Sequence, residues 1–352
     1  MSEIIAGKVG QIGRITLNRP QALNALTHDM CLEMTKALLA WKDDGEVKAV
    51  LVDAAGEKAF CAGGDIRLLA ESGTAKDTRA YEFWRDEYRL NVLIQEYPKP
   101  FIALIDGITM GGGVGISMPG SHRVAGDRTM LAMPETGIGY FPDVGGSYFL
   151  SHLPGELGTW MGLSGARLKT ADVLASGIAT HYVPSDKHAA LIEDLQKAHL
   201  DEEGEALEAT LEAHAGDAGS SDWALARGLV DAAFIKDSVE AILARLDAAG
   251  DSWSTKQAAI LRTKSPFAMK VTLAALHKGA KMSFREVMKQ DLRLSMHFLT
   301  GVDFYEGVRA VILDKDNNPQ WSPKTLSEVS AQAVNAMFEP LDDDQELTFI
   351  GE

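Results

Sequence analysis

Residues 106–120 read DGITMGGGVGISMPG, and the three consecutive glycines Gly111, Gly112 and Gly113 constrain this chain more than any other feature. They follow the apolar run FIALID at 101–106, which has the length and composition of a buried strand. VGISMPG after them is long enough for a short helix. The glycines therefore belong at a strand-to-helix turn, where the first backbone N–H groups have no partner within the helix. Without Cβ atoms the turn lets another group approach the backbone closely. That group is either a tightly packed neighbouring strand or an anion, including a developing oxyanion, held by the free N–H groups and the helix dipole. This stretch alone leaves both open. Its spacing is not G-x-G-x-x-G, the chain has no G-x-x-x-x-G-K-[ST], and GISMP is not G-x-S-x-G. Dinucleotide, P-loop and α/β-hydrolase sites are thus unsupported.

A second glycine pair repeats the arrangement. KAFCAGGDIRLL at 58–69 follows the apolar run AVLVDAAG and sets Gly63 and Gly64 just before an expected helix, with Asp65 in its first turn. Two such turns can aim two N–H donors at one carbonyl oxygen.

Around these turns, β-type runs at 14–17, 49–53, 101–106 and 122–126 alternate with helical patterns at 27–44 and 85–97, the signature of an α/β core. Beyond about residue 200 strand signals stop, and a long segment rich in Ala, Glu and Leu reads as helices; 283–301 is a strong helix with a Ser cap and a Gly stop. The expected organisation is a core over 1–200 and a mainly helical region over 201–352.

Composition narrows the function. The net charge is −16, which argues against nucleic acid, because phosphate binding needs a basic surface. No apolar run reaches the roughly 18 residues of a membrane span. The two cysteines, Cys31 and Cys61, cannot build a disulfide framework, and MSEIIAGKVGQIGRITLNRP has neither a signal h-region nor a transit-peptide composition. The expected compartment is the cytoplasm. The nine histidines form no H-E-x-x-H pattern, so no metal is expected.

AFCAGGDI at 59–66, followed by GITMGGG at 107–113, resembles the enoyl-CoA hydratase/isomerase (crotonase) superfamily. AMPETGIGYFPDVGGSYFLSHLPG (132–155), GARLKTADVLASGIATHYVPSDK (165–187) and GVDFYEGVRAVILDKDNNPQWSP (301–323) are similar to its 3-hydroxyisobutyryl-CoA hydrolase branch. The resemblance implies a crotonase-like ββα spiral core with a helical C-terminal region that completes the CoA site. It also implies that backbone N–H groups of Gly64 and Gly112 polarise the thioester carbonyl of an acyl-CoA. Hydratases of the superfamily carry a glutamate three residues after the second oxyanion glycine; here that position is Gly115. The second hydratase glutamate is kept as Glu135, and the hydrolase branch adds an aspartate, here Asp143, and a substrate-contacting glutamate, here Glu87. Ala62, Asp65 and Ile66 would lie along the adenine end of CoA, Ala22 and Leu23 along the pantetheine path, and Arg19, Lys264 and Lys270 near the phosphates.

The implied reaction is hydrolysis of a 3-hydroxyacyl-CoA to a 3-hydroxy acid and CoA, with no cofactor, CoA being part of the substrate. Enoyl-CoA hydration and silent acyl-CoA binding are the alternatives. Bland readings stand beside each residue: Asp143 and Glu135 as capping carboxylates, Glu87 as a solvated helix residue, Asp65 as a helix-dipole partner, Cys61 as structural. Superfamily members often form trimers or hexamers, so a homo-oligomer is expected unless the helical region covers that surface.

Overall fold

The computed structural model describes residues 2–201, 204–235 and 237–352. Among the described residues, ten strands form two sheets. They are β1 (Ile4–Val9), β2 (Ile12–Leu17), β3 (Ala49–Ala54), β4 (Ala59–Cys61), β5 (Phe101–Leu104), β6 (Ile108–Met110), β7 (His122–Ala125), β8 (Met130–Ala132), β9 (Leu168–Lys169) and β10 (His181–Tyr182). The first sheet has the order β1-β2-β3-β5-β7-β10 and the second β4-β6-β8-β9. The β1/β2 hairpin and the β8/β9 pair are antiparallel; every other pair is parallel.

The chain winds as a spiral. β3 enters the first sheet, β4 the second, and the helices Ile66–Ala75 and Arg79–Gln95 close the turn; β5 and β6 repeat the step, and β7 and β8 repeat it again. This is the ββα spiral of the expected α/β fold. Because β4 and β6 are parallel neighbours, the segments that follow them leave the same edge of the sheet side by side.

The uninterrupted apolar run in β3 reflects burial on both faces. Val50 and Val52 join Ile15, Leu17 and Ala103 in the main core. Ala49 and Leu51 point the other way and meet Ile12, Ile102, Leu104 and Val124 under Leu191, Leu195, Leu207 and Leu211. Those leucines come from the helices His188–Lys197 and Glu205–His214.

The expected helices form, with bounds set by caps. His28–Lys42 starts where Thr27 Oγ1 accepts the Met30 N–H, and Phe284–Phe298 starts with a Ser283/Glu286 capping box. Helix Arg79–Gln95 begins earlier than its apolar spacing indicates and ends ahead of Pro98. Among the described residues, only helices and turns follow β10. Phe284–Phe298 lies against Arg79–Gln95, and Pro266–Gly279 against the helix Gly146–Ser151.

The triple glycine differs from expectation in detail. FIALID ends as a strand at Leu104; Gly107, at φ 104°, turns the chain into β6, and the glycines follow that short strand. The helical turn spans Gly112–Gly115, so it begins inside the glycines rather than after them.

Candidate active site

The two glycine turns face each other. The Leu26 N–H donates to Gly63 O at 2.8 Å, and Leu26 O accepts from Asp65 N at 3.0 Å. Both partners flank Gly64, so its own N–H points away from Leu26. A Cβ at Gly112 would lie 3.3 Å from that nitrogen. Gly112 opens its helical turn behind Gly111 at φ 46°, so its N–H has no acceptor within the turn. Gly113 serves the other reading of the glycine run: a Cβ there would collide with the carbonyl oxygen of Cys61. Close packing thus accounts for Gly113, and an open backbone facing a cavity for Gly112.

Carboxylates gather around this pair. Gly64, Gly112, Glu87, Glu135 and Asp143, with Ala62 and Ile66, line one cavity of about 590 Å³. Glu87 comes from helix Arg79–Gln95 and is 2% exposed, with Oε1 placed where a Gly112 Cβ would be, at 2.6 Å. Glu135 begins the 3₁₀ turn Glu135–Ile138 that follows β8, and is 6% exposed. Asp143 is 7% exposed; its Oδ2 accepts from Tyr88 OH at 2.7 Å and Tyr140 OH at 3.4 Å. It is therefore no helix cap, and Glu87 is no surface residue. Glu87 Oε1 and Glu135 Oε2 are buried without a hydrogen-bond partner among the described residues. Such orphans are costly and call for an explanation; a bound polar group would satisfy them.

Burial pushes the Glu87 and Glu135 carboxyls well above the ordinary range, and the nearby Asp143 charge adds to it; Lys264 pulls Glu135 the other way. Asp143 is pushed up to about 6 by burial, against the pull of the Tyr88 and Tyr140 hydroxyls. These carboxyls therefore hold their protons to a higher pH than ordinary ones do.

The enoyl-CoA hydratase/isomerase family profile matches residues 12–338. The chain belongs to the enoyl-CoA hydratase/isomerase family. It is 47% identical to the mitochondrial 3-hydroxyisobutyryl-CoA hydrolase of Danio rerio, over 97% of this chain and 91% of that protein. It is 43% identical to the human protein of that name, over 96% and 89%. A crystal structure of a carnitinyl-CoA dehydratase from Mycobacterium thermoresistibile superposes with a TM-score of 0.94 at 41% identity, covering 100% of both chains. An enoyl-CoA hydratase from Rhodobacter sphaeroides gives 0.90 at 38%, covering 99% of this chain and 100% of that one. The cytoplasmic expectation does not stand, because the curated relatives are named as mitochondrial proteins. It had rested on the composition of MSEIIAGKVGQIGRITLNRP, supported by a low cysteine count, which marks reducing compartments in general and singles out none. Among the described residues no helix is long and apolar enough to cross a membrane, and no group of three His, Cys, Asp or Glu could hold a metal ion.

Within this family Gly115 is the informative departure. A Cβ there would lie 2.7 Å from Val144 Cβ and 3.1 Å from Asn91 Nδ2, which donates to Gly115 O at 2.9 Å. The hydratase carboxylate is absent, and its space is filled. Other expected residues stand back from the cavity. Asp65 caps helix Ile66–Ala75, its Oδ1 accepting the Leu68 N–H. Leu23 O accepts the Ala62 N–H at 3.0 Å, so Ala22 and Leu23 support the cavity wall without lining it. Arg19 pairs with Glu3 at 3.1 Å and Asp65 at 3.5 Å, and Lys270 with Glu240 at 2.6 Å. Lys264 does line the cavity, with Arg167 beside it. Cys61 is buried, which pushes its thiol up to about 12 and leaves it a poor nucleophile.

Tyr88, Tyr140, Arg167, Asp291 and Ser295 escaped the sequence reading. A signal existed for two of them. Asp291 and Ser295 are four residues apart and fall in register with Phe284, Met288 and Phe298 on the buried face of their helix, where a polar side chain needs a reason.

Proposed function

We propose that this chain hydrolyses a 3-hydroxyacyl-CoA thioester, with 3-hydroxyisobutyryl-CoA, an intermediate of valine breakdown, as the substrate. One observation carries the reading. Two backbone N–H groups and two carboxyls, Glu135 and Asp143, converge on one cavity, while Val144 and Asn91 close the position a second hydratase carboxylate would occupy. Several relatives of known name carry the same activity.

Gly64 and Gly112 form the oxyanion hole. Their N–H groups hold the thioester oxygen as it gains charge, and each such donor is worth roughly 3–4 kcal/mol in the transition state. Glu135, with Lys264 as the cation acting on it, supplies the attack on the carbonyl carbon. It does so as general base to a water or as the nucleophile that forms a mixed anhydride; single turnover in ¹⁸O-water separates the two by whether label enters Glu135. Asp143 delivers a proton to the departing CoA thiolate. Glu87, with its unpartnered Oε1, meets the hydroxyl of the acyl group. Arg167 and Lys264, neither of which has an ion-pair partner among the described residues, receive the anionic end of CoA. No cofactor enters the reaction as written.

The solved relatives named as a dehydratase and a hydratase raise enoyl-CoA hydration as the competitor. One assay decides. The protein is incubated with 3-hydroxyisobutyryl-CoA and with crotonyl-CoA while free thiol and enoyl absorbance are followed. Thiol release from the first supports hydrolysis. Enoyl loss from the second, without thiol release, would replace this proposal with hydration; binding without either would leave a silent acyl-CoA-binding protein.

A further inference from the structure

The region after residue 200 reaches Asp143 through one buried hydroxyl. Ser295 Oγ, on helix Phe284–Phe298, lies 2.8 Å from Tyr88 Oη, 2.6 Å from Tyr140 Oη and 2.7 Å from the carbonyl oxygen of Asp291. Tyr88 Oη lies 2.7 Å from Asp143 Oδ2. Four oxygen–oxygen contacts of 2.6–2.8 Å therefore connect Asp143 to the backbone of helix Phe284–Phe298, the Tyr140–Asp143 approach being longer at 3.4 Å, and all three hydroxyl side chains are buried.

Each contact of this length needs a proton between its oxygens. Tyr88, Tyr140 and Ser295 bring one each, three for four contacts. The Asp291 carbonyl can only accept. With Asp143 ionised, one contact sets two lone pairs against each other. With Asp143 protonated the count closes: Asp143 donates to Tyr88, Tyr88 and Tyr140 donate to Ser295, and Ser295 donates to Asp291 O. Ser295 then accepts twice and donates once, the full capacity of a hydroxyl.

We propose that Ser295 is a positioning residue which, through Tyr88, keeps a proton on Asp143 in the resting site. What that proton is for rests on the proposed hydrolysis, in which Asp143 is the acid. Of the other groups facing Asp143, the carboxyls work in the same direction, and the tyrosine hydroxyls, when they donate to it, work against it. Glu87 and Glu135 are buried carboxyls that oppose a second charge, as is Asp291, whose Oδ2 accepts the Gly145 N–H at 2.8 Å and so fixes the turn that carries Asp143. Tyr88 and Tyr140 are the hydroxyls already counted.

The test reads the proton directly, on ligand-free protein. Aspartate side chains are labelled with ¹³C at the carboxyl, the Asp143 signal is assigned by its loss in Asp143→Asn, and its shift is followed with pH. The wild-type midpoint is expected near 6. In Ser295→Ala the Tyr88–Asp143 contact keeps Tyr88's own proton to fill it and Tyr140 is left with Asp143 alone, at 3.4 Å, so the shortage disappears and the midpoint falls by about one pH unit or more. Ser295→Thr, which keeps the hydroxyl, holds the wild-type midpoint. Tyr140→Phe removes one short contact and one proton together, along with the 3.4 Å approach to Asp143; three short contacts then share two protons, the shortage persists, and the midpoint does not fall. An unchanged midpoint in Ser295→Ala, or a fall in Tyr140→Phe as large as in Ser295→Ala, would overturn the proposal. Because no substrate is present, a midpoint that moves as stated upholds the Ser295 role even if the thiol-release assay rejects hydrolysis.

Discussion

Replacing Asp143 by Asn should stabilise the folded protein at neutral pH while destroying its activity. The reason is a linkage. Asp143 is buried and its carboxyl is pushed from 3.8 up to about 6, so the folded state holds a proton that the unfolded chain has released. Its contribution to stability is complete below about pH 3.8 and is lost as pH rises through about 6. A shift of roughly two pH units corresponds to about 3 kcal/mol at 1.36 kcal/mol per unit. Asn mimics the neutral acid, offers Nδ2 as a donor to Tyr88, and cannot ionise. Urea unfolding of both proteins should therefore give equal stability near pH 4. By pH 7.5 the Asp143→Asn variant should lead by about 3 kcal/mol, with the gap opening between pH 4 and 6. Glu87, Glu135 and Asp291 are also raised by burial, but their own titrations are common to the two proteins and largely cancel in the difference. Parallel stability curves across this range, or an Asn variant weaker than wild type at pH 7.5, would show that Asp143 is not held neutral by its surroundings.

Other outcomes test the remaining parts of the site. Glu135→Gln should lower kcat by about a hundred- to ten-thousandfold with acyl-CoA affinity kept, as expected for loss of a base or nucleophile; a kcat within a few-fold of wild type would move the attack to another group. Gly112→Pro removes one oxyanion N–H and should cost about a hundred- to a thousandfold in kcat, so near-normal turnover in a folded variant would dismiss Gly112 as a donor. Gly115→Ala should lose about 1–3 kcal/mol of stability through overpacking, because Val144 Cβ would stand 2.7 Å away, and adding Val144→Ala should recover part of it; a stable Gly115→Ala would mean the wall yields.

The glycine turns were legible because their information is local, and Glu135 and Asp143 because the stretch that carries them resembles a known family. AFCAGGDI and GITMGGG each encode a complete turn, and MPETG and FPDVGG lie in one continuous stretch. The long strands were legible for a related reason: AVLVD and FIAL are apolar throughout because both sheet faces are covered. The short strands of the second sheet were not. Ala59–Cys61, Ile108–Met110 and Met130–Ala132 have three residues each, too few for a period of two to declare itself. Their pairing is set by the turns of the spiral and not by their own pattern. The hydroxyl network was hidden for the opposite reason. Tyr88 and Ser295 are 207 residues apart, and neither is unusual beside its sequence neighbours; only the approach of helix Phe284–Phe298 to helix Arg79–Gln95 brings them together. What the sequence did offer was the misfit of Asp291 and Ser295 on an apolar helix face.

The protons held in the cavity also bear on how an acidic protein handles an anionic substrate. The chain carries a net charge of −16, and Glu87, Glu135 and Asp143 surround the place where the acyl group would lie. Were all three ionised, a polyanionic thioester would meet several like charges in a partly desolvated site. Two unit charges 4 Å apart interact by about 4 kcal/mol at an effective dielectric constant of 20, so three such carboxylates would oppose binding strongly. Neutral Glu87 and Asp143 lower that barrier, leaving only the Glu135 carboxylate that the attack needs, with Lys264 acting on it and Arg167 facing the anionic end. On the proposed reaction the balance then reverses during turnover. Asp143 gives its proton to the departing thiolate and becomes charged, and the acyl group becomes a carboxylate beside it. Two like charges now share a cavity that began with one, and the same electrostatics that admitted the neutral acyl thioester expel the acid. Product release should accordingly accelerate with every group that lets Asp143 stay ionised after the proton leaves, and slow when Asn takes its place.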